Sequence, residues 1–182
     1  MVLALAILLA LPAETPIQVP QDPGLYYLSA QGLVRIEGRA VSIAHSRTKM
    51  PLSSKLPMTG GNETRAEIIG AHAEQRVTPT PVFYYRVTGG QESTGAGDLA
   101  LVKLKSRTHY REFMISAEPE WKESSGIPLK SQVEFNIKRL GEGVFRLEPA
   151  DDLDPGEYGF YEFRNHDLPG FLYCFSVPGD AN

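Results

Sequence analysis

The chain holds a single cysteine, Cys174. One thiol cannot close an internal disulfide, and it rules out a zinc site built from several cysteines. Cys174 stands in "FLYCFSV", an alternating apolar segment, where a small buried hydrophobe is expected. A nucleophilic thiol would want a histidine beside it in an electropositive, partly open site. Long apolar runs are also missing. The run Val2–Leu11 has ten residues, about 15 Å as a helix and about half of a bilayer core. That excludes a transmembrane anchor and fits the apolar region of a signal peptide over 1–13, with Pro12 and Ala13 at its end. No Lys or Arg precedes the run, and removing it leaves the net charge of −4 unchanged. An excess of positive charge is absent, so nucleic acid is not an expected partner.

Catalytic and metal-binding signatures are lacking too. There is no G-x-S-x-G, no S-x-x-K and no G-x-x-x-x-G-K. "TGAGD" has the glycines of a phosphate loop but not its lysine, and reads as a hairpin loop. His45, His72, His109 and His166 stand singly, without metal-ligand spacing, so no metal or cofactor is expected. The acidic run Asp151, Asp152, Asp154 lacks the spacing of a calcium loop and flanks a turn, where Asp commonly caps backbone. Nor is there a long helical period or a visible internal repeat.

What is present reads as β-structure. Fourteen Pro and seventeen Gly are scattered between short apolar runs, as turns of an all-β protein are. Residues 14–23 read as a linker. "GLYYLSAQGLVRIEG" reads as a hairpin about Ala30-Gln31-Gly32, with Gly32 at positive φ. Residues 45–64 read as a long loop, 63–69 as a short helix ending at Gly70, and 71–78 as a strand. "PVFYYRV", "LALVKLK" with "HYREFMIS", "SQVEFNIKRL", "GVFRLEP", "EYGFYEF" and "FLYCFSV" read as strands. In "SQVEFNIKRL" the residues Val133, Phe135 and Ile137 share one face.

The stretch "LEPADDLDPGEYGFYEF" carries the fold class. Pro155-Gly156 suits the centre of a type II turn, and Tyr158 follows just inside a strand. In immunoglobulin-like sandwiches a tyrosine at this place bends over the corner and bonds upstream backbone. Leu153, Pro155, Gly156 and Tyr158 are therefore assigned structural roles. The expected fold is an all-β, antiparallel immunoglobulin-like β-sandwich over 91–182, with a smaller β-rich N-terminal part over 24–90.

These segments also carry a resemblance. "PGLYYL", "PVFYYRV", "SGIPLKSQVEFNIKRLGEGVFRLEPADDLDPGEYGFY" and "YCFSV" resemble a group of exported bacterial β-sandwich proteins of uncharacterised activity with an L-x-P-G-E-Y corner. The resemblance implies a layout and no activity.

Two sets of residues are candidate binding sites. Lys103, Lys105, Arg107, His109 and Arg111 are all odd-numbered, which on an unbroken strand makes a basic strip suited to an anionic partner. The plain alternative is a solvated face whose lysines discourage edge pairing. Glu112 and Glu134 are placed to neutralise part of it. Trp121, in the polar loop "EPEWKESSG", either docks on the sheet edge or stacks on a sugar or protein. Of Tyr26-Tyr27 and Tyr84-Tyr85, strand alternation places one of each pair outward. The expected function is an exported, periplasmic or secreted, non-catalytic binding or assembly module of the bacterial envelope, with a protein or anionic polysaccharide partner. The alternative is a hydrolase sited between the two parts near the 45–64 loop. Such an enzyme should bring His, Asp or Glu, and Ser together in one pocket.

Overall fold

The computed structural model describes residues 17–47, 61–87, 99–119, 127–141, 143–163 and 170–179. The expected signal peptide over 1–13, most of the 45–64 loop, the 89–98 loop, Trp121 and His166 lie outside these residues. The strands are β1 (Gly24–Ser29), β2 (Gly32–Ile36), β3 (Gly38–Ala40), β4 (Ser42–Arg47), β5 (Gly61–Ile69), β6 (Phe83–Arg86), β7 (Leu99–Ser106) and β8 (Tyr110–Pro119). They continue as β9 (Gln132–Val133), β10 (Phe135–Gly141), β11 (Val144–Pro149), β12 (Gly156–Glu162) and β13 (Phe171–Val177). Among the described residues there is no α-helix, only a 3-10 turn at Leu129–Ser131.

The fold is all-β and its ladders are antiparallel. A five-stranded sheet runs β10-β11-β6-β1-β2, and an eight-stranded sheet runs β3-β13-β12-β7-β8-β5-β4, with β9 beside β7. The two ends of the larger sheet, β3 and β4, are consecutive in the chain and joined at Val41, whose N–H reaches Gly170 O at 3.4 Å. The sheet therefore curls into a nearly closed barrel. Strand β7 switches partners along its length. Leu101 and Val102 pair with β9, while Lys105 and Ser106 pair with β8.

Two interiors share one wall. Leu25, Tyr27, Phe83, Tyr85 and Leu147 of the five-stranded sheet pack on Leu99, Leu101, Tyr158, Phe160, Tyr173 and Phe175 of the other. Phe83 sits at the centre, 4.8 Å from the Phe175 ring and 5.2 Å from that of Phe160. Such ring pairs add about 0.5–1.5 kcal/mol each beyond their buried area. The alternate residues of the same strands, Ala100, Val102, Leu104, Tyr161, Leu172 and Cys174, fill the barrel with Ala66, Ile68 and Phe113. Strands β7, β12 and β13 are thus buried on both faces, which is why they read as near-continuous apolar runs.

Several expectations change. The division at residue 90 does not match the sheets, because β6 pairs with β11, β3 with β13 and β5 with β8. Residues 63–69 are strand, not helix. Glu, Ala and Arg favour helix there, but flanking strands β4 and β8 supply two ladders, and Ala66 and Ile68 alternate into the barrel. Residues 71–78 are irregular, with one parallel bridge from Arg76 to Ser176. Residues 17–23 are tied down rather than loose, since Arg86 donates to Pro20 O and Val19 O. All four of the paired tyrosines are buried, because Tyr26 and Tyr84 are neighbours in register on the far face of the smaller sheet. Ile137 is 45% exposed, although Phe135 packs against the core as its alternation requires.

The corner at Tyr158 is built by a hydrogen bond from its hydroxyl to Asp154 O, 2.9 Å. Leu153 lies buried in the same cluster. Gly156 has φ of 159° and is already the first residue of β12. That φ is far from the roughly +80° of a type II turn, so the bend is closed by the tyrosine instead. The same construction occurs again. "DPGLY" at 22–26 repeats "DPGEY" at 154–158, and Tyr26 donates to Asp22 O at 2.8 Å. Gly24 has φ of 144°, which an L-residue rarely adopts. The chain therefore contains a short internal repeat, one copy opening a strand in each sheet.

Candidate functional site

At one rim of the barrel two loops meet. The first, 70–73, follows β5, and the second, 107–109, joins β7 to β8. Gly70 N–H donates to His109 O at 2.9 Å, and Arg107 N–H donates to Tyr110 O at 2.8 Å. Together they form an open cleft of about 800 Å³ lined by Ala71, His72, Ser106, Arg107, Thr108, His109 and Tyr110.

Behind the cleft stand two buried carboxylates. Glu157 follows the corner glycine, and its side chain enters the barrel end. It accepts from Ala73 N–H at 2.8 Å and from Arg111 Nη1 at 3.3 Å. His72 Nδ1 lies 3.1 Å from its other oxygen. A carboxylate only accepts, so Nδ1–H donates and Nε2 is left for the cleft. Arg111 is 2% exposed and is fixed further by donating from Nε to Gly70 O. Glu112 faces the outside of the barrel wall, yet only 5% of its side chain is exposed. Arg65 and Arg107 cover it. Arg65 Nη1 donates to its Oε1 at 2.8 Å, and Arg107 Nε reaches the same oxygen at 2.8 Å.

A buried carboxylate costs several kcal/mol unless charged donors surround it. Here three guanidiniums face two carboxylates, and two imidazoles line the solvent side. Lys105 and Glu67 stand opposite Glu112 on the neighbouring strands, so local cations outnumber local carboxylates by only one, in a chain that carries −4 as a whole.

The expected strip is only partly assembled. Lys103 is exposed on β7, 3.6 Å from Asp154 Oδ2 and over the Tyr158 ring. Lys105 is exposed one residue before the cleft. Arg107 and His109 line it. Arg111 does not share their face. The turn at 107–109 resets the alternation, and Arg111 enters the barrel with Phe113. Trp121 lies outside the described residues. His45 is on β4 opposite Thr64. Glu112 neutralises part of the strip at Arg107, as expected, whereas His72 and Glu157 are the residues that sequence spacing did not bring together. Glu157 gave one signal, a charge between the glycine and tyrosine of the corner in an otherwise apolar strand.

Ser106 lines the same cleft as the His72–Glu157 pair. No hydrogen bond joins Ser106 to His72 among the described residues. Cys174 stands inside the barrel, within reach of the charges of Arg111 and Glu157. Burial in the barrel pushes its thiol up to about 11, with Arg111 and Arg39 opposing. Among the described residues no group of His, Cys, Asp or Glu is arranged to hold a metal ion, and no helix is long and apolar enough to cross a membrane. No protein family, curated protein or solved structure matches the chain.

Proposed function

We propose that this is an exported, non-catalytic binding module of the bacterial envelope that holds an anionic group of a polysaccharide in the rim cleft. The observation that carries the reading is the convergence of Arg107, His72 and His109 in one cleft, with Arg107 and His72 each tied to a buried glutamate. Lys105 adds a cation one residue before the cleft. The cleft is open rather than enclosed, which suits one unit of a long polymer. Export, to the periplasm or beyond, draws support from the apolar run Val2–Leu11. The likeness to exported proteins with an L-x-P-G-E-Y corner points the same way. The Tyr158 corner supports reading the two facing sheets as an immunoglobulin-like sandwich to which a barrel is added.

Heparin resin tests the reading. A chain of net charge −4 has no general attraction to an anionic matrix, so retention requires a local site. We expect retention at low salt that modest salt removes and that Arg107→Ala combined with His109→Ala abolishes. Flow-through of the native protein at low salt overturns it. Retention unaffected by the double substitution moves the site elsewhere. A hydrolase is the second reading, favoured by Ser106 beside the His72–Glu157 pair. Hydrolysis of p-nitrophenyl acetate that Ser106→Ala and His72→Ala both abolish would make it the better one.

A further inference from the structure

We propose that Glu112 is the positioning residue of the cleft and that the group taken there is a tetrahedral oxoanion, a sulfate or phosphate ester. The proposal rests on the anion-binding reading above and names its ligand class.

A guanidinium offers five N–H donors on a rigid plane. In Arg107, Nε and Nη2 both point at Glu112 Oε1, at 2.8 and 2.5 Å. One edge of the plane is thereby spent. The end-on edge, Nη1 and the second N–H of Nη2, has no partner among the described residues, and Arg107 lines the cleft. That edge is the fork that receives two oxygens of an oxoanion. Glu112 is itself immobilised. It is 4% exposed, and the same oxygen receives Arg65 Nη1. A free arginine loses rotamer freedom when it binds, whereas one already tied loses little. The donor count selects the ligand. A planar carboxylate is satisfied by the fork alone. The lining adds Ser106, Thr108, His72 and His109, residue types whose further donors an anion with three free oxygens can use.

Two views of Glu112 predict opposite signs. If it merely adds negative charge near the ligand, Glu112→Gln should tighten binding and Glu112→Asp should leave it unchanged. If it orients Arg107, both substitutions should weaken binding, by about three- to tenfold, the cost of ordering one long side chain on association. Inorganic sulfate, inorganic phosphate and acetate are titrated at fixed ionic strength, well below the unfolding temperature. The His72 and His109 ring resonances and the Arg107 Nε–Hε resonance report binding. In the native protein that Nε–Hε signal should be sharp and displaced from the bulk arginine signals. In both variants it should collapse toward them, which a purely structural role would not produce. Sulfate bound more tightly than phosphate assigns a sulfated ligand, and the reverse assigns a phosphorylated one. Acetate binding as tightly as either overturns the ligand class. Tighter sulfate or phosphate binding by Glu112→Gln, with heparin retention still dependent on Arg107, overturns the positioning role and leaves the binding function standing. Failure of the native protein to bind both heparin and the small anions removes both.

Discussion

The two corners use nearly the same five letters and put different chemistry behind them. In each, Asp-Pro-Gly brings the chain round, and a tyrosine two residues later ties the bend to the aspartate carbonyl, at 2.8 Å for Tyr26 and 2.9 Å for Tyr158. The letter between glycine and tyrosine differs. At the first corner it is Leu25, 0% exposed among aromatic and aliphatic side chains. At the second it is Glu157, buried against Arg111, His72 and the Ala73 amide. The motif fixes the backbone, and the residue inside it decides whether the strand begins in a dry core or in a polar cluster. A chain can thus reuse one corner to open a dry core and to open a polar cluster.

The strongest way to break this comparison is to exchange the letters. Leu25→Glu places a charge without a partner in the two-sheet core and should prevent folding, with a loss of more than about 4 kcal/mol. Soluble expression and urea unfolding would read it. At the other corner, Glu157→Leu leaves Arg111 buried and unpaired and should cost about 3–5 kcal/mol. Adding Arg111→Met to Glu157→Leu should recover most of that loss, since an apolar pair can replace a buried ion pair at little cost. Equal stability of the single and double variants would show that Arg111 finds water when Glu157 is gone.

A third measurement asks whether the barrel behind Glu157 is as dry as the core behind Leu25. Burial raises the Cys174 thiol to about 11 in the folded chain from an ordinary value near 9. The folded state then holds its proton more tightly than the unfolded one. The stabilising effect is whole below pH 9 and is lost as the pH rises to 11. The loss amounts to about 2–3 kcal/mol at most. Cys174→Ala should flatten that alkaline decline relative to the native protein, whereas parallel declines would mean that water reaches the thiol. The smallest effects test the corners themselves. Tyr26→Phe and Tyr158→Phe each remove one hydroxyl bond to a carbonyl and should each cost about 1 kcal/mol. A large inequality would show that only one of the two bonds holds its bend.

Much of this arrangement is legible in sequence because it is local. The hairpins β1–β2, β7–β8 and β10–β11, and the Tyr158 corner, follow from turn residues and alternation over a few positions. The barrel is not legible, since its closing ladders, β3 with β13 and β5 with β8, join segments far apart in the chain and leave no local pattern. β5 shows the cost, because helix-favouring letters conceal its alternation. The basic strip failed at Arg111 for a related reason. Odd numbering defines a face only while the strand is unbroken, and the turn at 107–109 breaks it. The cleft was half visible. Arg107 and His109 were candidates from their charge, while His72 and Glu157 come together only through the barrel rim. The Tyr26 corner is written in the same letters as the Tyr158 corner, but it is hidden because it opens what reads as an ordinary hairpin.

The wall common to both interiors has a kinetic consequence. β13 closes the barrel against β3 and also contributes Tyr173 and Phe175 to the other core. Until residues 171–177 are available, neither hydrophobic compartment can be sealed. Long-range pairings of this kind make assembly slow and leave sticky surface uncovered meanwhile. A polypeptide emerging in order would therefore keep both compartments open until residues 171–177 had emerged.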